Sequence, residues 1–153
     1  MRDATNREAE ESMNILIPVD GSVPGNRAVE QVIASAKALK EPPHIYLLNV
    51  QWRLASGNVK LFISQDTIND YYREQGMAAL AAARAMLDEA GLAYSYHIDV
   101  GTPAEAIVQA AREHQIDQIV ISAHGEGTLS NMLLGSVASK VAHLATVPVL
   151  LVK

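Results

Sequence analysis

The sequence predicts one α/β domain: three layers built on a five-stranded parallel sheet, doubly wound, with helices on both faces. Three observations predict it. Short unbroken apolar runs alternate with segments whose apolar residues recur at helical spacing, and the first and fourth runs each end in a small or polar turn. The chain has 153 residues, 49% apolar and 19% charged, with no cysteine. A domain of about 150 residues buries enough surface to hold together without disulfide or metal staples.

The first run, Ile15-Leu16-Ile17-Pro18-Val19, reads as a strand buried on both faces and stops at Asp20-Gly21-Ser22. Ser22 then offers a cap to a helix carrying Ala28, Val29, Val32, Ala36 and Leu39, which Pro42-Pro43 end. His44 to Val50 reads as a second buried strand, and Gln51 to Ser64 shows no period. A long helix from about Asp66 to Ala90 places Ile68, Tyr72, Ala79, Ala82, Ala83, Met86 and Leu87 on its apolar side, with Gly91 as its stop. Leu92 to Val100 alternates apolar and mostly polar residues, as a sheet edge or half-covered strand does. Thr102, Pro103 and Glu105 then stand at the N-cap, N1 and N3 positions of a helix with Ala104, Ile107, Val108 and Ala111 on its stripe. Asp117 to Ser122 reads as the fourth strand, a glycine-containing loop runs to Gly135, and a last helix carries Val137, Val141 and Leu144. Val147 to Val152 closes the chain as the fifth strand. Such βα alternation calls for right-handed crossovers, with a ligand crevice where the winding reverses, between the first and fourth strands.

Composition narrows the chemistry. The net charge is −5 and no stretch concentrates Lys or Arg, so neither nucleic acid nor an anionic membrane is expected as a partner. Without cysteine there is no thiol catalysis, Fe–S cluster or cysteine-based zinc module, and a cytoplasmic home is the default. The most apolar long segment, Met77 to Ala93, is interrupted by Arg84, Asp88 and Glu89 and is no membrane span. Met1 to Ser12 is polar and reads as a disordered leader or a tag remnant, leaving 13–153 as the domain. The five histidines show no metal-ligand spacing, and neither Walker A nor a G-x-G-x-x-G after the first strand is present.

The informative stretch is Ser122-Ala123-His124-Gly125, nine residues, then Gly135-Ser136-Val137 opening a helix. Small residues let the backbone approach phosphate closely, Ser136 adds a hydroxyl, and the free N–H groups heading a helix point at negative charge. A structural reading stands beside it, in which Gly125 and Gly127 only make a turn and Gly135 only starts a helix. Between Ser122 and Val137 there is no Lys or Arg, and Glu126 adds a negative charge. Phosphates would then be held by backbone N–H groups, Ser136 and the helix dipole, with magnesium accompanying a triphosphate.

From Asn14 to Lys153 the chain resembles a universal stress protein domain. The likeness is carried by Ile15 to Ser22, by Gly101-Thr102-Pro103-Ala104-Glu105-Ala106-Ile107, and by Leu134 to Val141 with the closing Val147-Pro148-Val149-Leu150-Leu151-Val152. The resemblance implies a Rossmann-like sheet of order 3-2-1-4-5 and a loop that holds the ribose and phosphates of ATP or AMP. Gly125, Gly135 and Ser136 match the family's nucleotide motif, whereas Ser122 stands where its first glycine belongs. By the same resemblance Asp20 contacts the nucleoside, Val50 lines the adenine slot, and Pro18, Val19 and Ile121 supply further contacts around the base. Read locally, Asp20 could instead cap the first helix and Val50 could be core. The apolar final strand, placed at a sheet edge, invites pairing with its copy in a two-fold homodimer, as the resemblance also implies. The expected role is a stress-response regulator that binds adenine nucleotide and a protein partner, with slow hydrolysis at most. Two other readings stand: a nucleotide-free dimeric interaction module, and a small hydrolase using Ser136 and His124.

Overall fold

The computed structural model describes residues 12–54, 62–125 and 133–153; the leader up to residue 11, Glu126 and Gly127 lie outside them. Strands and helices alternate as expected: β1 (Asn14–Pro18), α1 (Val23–Ala36), β2 (His44–Gln51), α2 (Gln65–Ala90), β3 (Tyr94–Val100), α3 (Pro103–Glu113), β4 (Gln118–Ser122), α4 (Ser136–Leu144) and β5 (Val149–Val152). The strands form one parallel sheet of order β3-β2-β1-β4-β5. It is a doubly wound, Rossmann-like sheet whose winding reverses between β1 and β4.

Successive residues of the buried strands serve opposite faces. On one face Ile15, Ile17, Ile45, Leu47 and Val120 pack against Val29 and Val32 of α1 and Leu80, Ala83 and Leu87 of α2. On the other, Leu16, Tyr46, Leu48, Ile119 and Ile121 meet Ile107 and Ala111 of α3 and Ala138 and Val141 of α4. A strand apolar on both sides has no solvent face, which is why β1 and β4 read as continuous runs.

Capping largely follows the sequence. The Gly25 N–H donates to Ser22 Oγ at 2.9 Å, and Gly91 ends α2 in the left-handed region at φ 68°. Thr102 occupies the N-cap of α3, but its side chain makes no capping hydrogen bond. Glu105 instead pairs with Lys140 of α4, 3.0 Å away, so a contact between helices replaces the expected local box. Helical spacing extends through Leu39, yet α1 stops at Ala36 and Leu39 is exposed. The Ala38 and Leu39 N–H groups donate to Ser35 and Ala36, tightening the last turn ahead of Pro42-Pro43. Ala82 also faces outward, since alanine favours helix on either side.

Gly21 shows what the turn after β1 requires. Its φ is 85°, and a Cβ there would stand 3.0 Å from the Ala79 Cα of α2. Both the backbone conformation and the close approach exclude a side chain.

Candidate functional site

A cavity of about 530 Å³ opens at the carboxyl ends of β1, β2 and β4, where the winding reverses. Its walls contain all ten residues singled out from the sequence: Pro18, Val19 and Asp20 after β1, Val50 of β2, Ile121 and Ser122 of β4, Gly125, and Gly135, Ser136 and Val137 at the head of α4. The sequence reading missed Leu48, Asn49, Gln51 and Trp52 at the end of β2, and Pro103 and Ile107 of α3. Asn49 did leave a signal, as an uncharged amide inside an otherwise apolar run.

That amide organises the base of the cavity. Asn49 is 2% exposed; its Nδ2 donates to the Val19 carbonyl at 2.8 Å and its Oδ1 accepts from Gln51 Nε2 at 2.6 Å. The Val19 N–H donates to the Leu48 carbonyl at 2.8 Å. The strand ends are thus locked before any ligand arrives, which lowers the entropy cost of forming a binding surface.

Asp20 does not cap α1 directly. Its Oδ1 accepts from the Ser22 N–H at 3.0 Å and from the Ser22 hydroxyl at 2.6 Å, and Ser22 makes the cap. The other oxygen, Oδ2, lies on the Gly125 side, 2.8 Å from where a Cβ of Gly125 would be.

Ser122, where the motif has glycine, leaves the cavity open. Its hydroxyl donates to the His124 carbonyl at 2.6 Å, folding back on the turn's own backbone. Among the described non-glycine residues only Gln115 has a positive φ, so the conformation at Ser122 suits serine. The loop's two ends are fastened together, because the Gly135 N–H donates to the Ala123 carbonyl at 2.7 Å. The Ala123 N–H in turn donates to the Val152 carbonyl of β5, also at 2.7 Å.

Chemically the walls divide in two. Val19, Val50, Ile107, Ile121 and Val137 offer apolar surface, while Pro103 at the head of α3 and Ser136 to Ala138 in the first turn of α4 also line the cavity, and neither helix start is capped by its N-cap side chain. Asp20 is an acid among the lining residues, and among the described residues no Lys or Arg lines the cavity. No group of three or more His, Asp or Glu among the described residues is arranged to hold a metal, and no described helix is long and apolar enough to cross a membrane.

These features define a doubly wound α/β protein with a preformed crevice at its switch point, apolar on one side and rich in helix N-termini on the other. The chain belongs to the universal stress protein family, whose family model matches residues 11–153. Universal stress protein MJ0531 of Methanocaldococcus jannaschii is 34% identical over 143 residues, 91% of this chain and 81% of that protein. The structure of MJ0577, from the same organism, superposes with a TM-score of 0.79 at 28% identity, covering 92% of this chain and 95% of that one. The universal stress protein of Archaeoglobus fulgidus in complex with dAMP shares the fold at a TM-score of 0.62 and 24% identity, covering 92% of this chain and 98% of that one.

Proposed function

We propose that this crevice binds an adenine nucleotide and that the chain is a cytoplasmic stress-response regulator acting through binding, not rapid turnover. The observation that carries the reading is the convergence of the ten residues on one cavity with an apolar wall and a wall of helix-heading amides. Purine needs the first and phosphate the second. Family members of the same fold hold dAMP, AMP and cAMP, which supports a nucleotide here. Asp20, Val50, Pro18, Val19 and Ile121 would surround the nucleoside; Ser122, Gly125, Gly135, Ser136 and Val137 would surround the phosphates. AMP needs no further charge, while ATP would bring magnesium as its counter-ion. No described group on the walls supplies the cationic finger that speeds phosphoryl transfer, which favours binding as the function.

A thermal scan with AMP, ATP and ATP plus magnesium tests this. A ligand at a hundred times its dissociation constant stabilises by about 2.7 kcal/mol, roughly 5–10 °C for a domain of this size. No shift with any adenine compound would leave the nucleotide-free interaction module. That module and the nucleotide reading share a homodimer paired through β5, an edge strand whose Leu150 is 39% exposed. Light scattering at micromolar concentration would return twice the chain mass, and Leu150→Lys would return the monomer.

A further inference from the structure

We propose that Trp52 is a base-stacking residue, its indole covering the open side of the crevice and closing on the flat ring of the bound nucleotide. The inference rests on the adenine-nucleotide reading and names a residue that neither the motif nor the strand pattern marks.

Trp52 is the single tryptophan of the chain. It lines the cavity while remaining 66% exposed, so a large aromatic surface is left in water at the mouth of a preformed pocket. Its neighbours hold the backbone on both sides. The Gln51 carbonyl accepts from the Gly101 N–H at 2.9 Å, and the Leu54 N–H donates to the Tyr72 hydroxyl at 2.8 Å. The ring is therefore presented from an anchored segment, which makes ordering it on a ligand cheaper.

The other exposed aromatics differ. Tyr96 carries the Arg84 guanidinium over its ring at 4.4 Å, and Tyr71 lies against Tyr72 with centroids 6.0 Å apart. Among the described residues no ring or cation stacks on Trp52. The cavity that Trp52 lines also carries apolar groups of Val50, Pro103 and Ile107, against which the other face of a planar ring would rest. Every base has a π-face, so stacking favours aromatic bases as a class and leaves finer choice to polar neighbours such as Gln51.

The test is calorimetric titration of AMP into the full-length wild-type chain, Trp52→Ala and Trp52→Phe, with indole emission followed in parallel. AMP is expected to change the wild-type emission saturably, with the calorimetric dissociation constant. Trp52→Ala is expected to weaken AMP by about 5- to 150-fold, and Trp52→Phe to recover most of the loss. The apo melting temperature of both variants should stay near wild type, since the ring is mostly in water. If AMP binds the wild type and Trp52→Ala equally and leaves emission unchanged, the stacking role is overturned and the nucleotide reading survives. If neither AMP nor ATP with magnesium gives any heat with the wild type, both fall.

Discussion

Asp20 and Gly125 meet across the switch point: the Asp20 Oδ2 lies 2.8 Å from the position a Gly125 Cβ would take. The carboxylate cannot simply swing away, because Oδ1 is tied to two donors of Ser22, which itself caps α1. Gly125→Ala is therefore expected to displace the carboxylate and loosen the cap. The cost should be about 1–2 kcal/mol, with a smaller nucleotide-induced shift, both read from thermal melts with and without AMP.

Asn49 offers a separate test of preorganisation. Asn49→Leu keeps the volume but leaves the Val19 carbonyl and the Gln51 amide without their partner. An orphaned buried group costs about 1–3 kcal/mol, so the melting temperature should fall by roughly 2–10 °C. AMP affinity should fall with it, since the end of β1 is then free to move.

Alkaline pH probes the Tyr46–His114 contact at the C-terminal end of α3. Burial raises the Tyr46 phenol above its ordinary 10.0, with Asp99 and Glu113 adding to the effect, and Tyr46 Oη lies 3.0 Å from His114 Nε2 beneath a stacked ring pair. A raised folded pKa means the neutral phenol is favoured in the fold. Its contribution is complete below the unfolded value and is lost as pH climbs through the folded one. Urea melts at about pH 9 and about pH 11 should show a larger loss for wild type than for Tyr46→Phe, which itself costs about 1 kcal/mol at neutral pH.

The charge of the cavity predicts a magnesium requirement for ATP. With Asp20 in the wall and no Lys or Arg among the described lining residues, each added phosphate brings further negative charge to a wall that already holds a carboxylate. Chelation is expected to weaken ATP by at least about tenfold, roughly 1.4 kcal/mol, and to leave AMP nearly unchanged in the same calorimetric series. Equal ATP affinity with and without chelator would contradict this.

Much of the architecture was legible because burial on both faces writes itself into β1 and β4 as apolar runs and into β2 as a run broken only by Asn49. Ser22 and Gly91 likewise act through local geometry and announce themselves locally. The motif glycines led to the side of the cavity formed by Gly125 and the head of α4. Gln51, Trp52 and Pro103 were not visible, because they reach the cavity only through the juxtaposition of β2 with α3, which no spacing along the chain encodes. Asn49 reaches Val19 across 30 positions, a side-chain-to-backbone bond with no periodic trace. The overrun at Leu39 and the unused Thr102 hydroxyl mark the same limit: apolar rhythm and cap identity say where a helix can continue, and packing decides whether it does.

Ala123 commits its two backbone polar groups in different directions, its N–H to Val152 and its carbonyl to Gly135. A tug on the head of the last helix therefore reaches the rim strand through two bonds in series. Whatever grips the outer border of the sheet and whatever sits in the hollow are mechanically within one residue of each other.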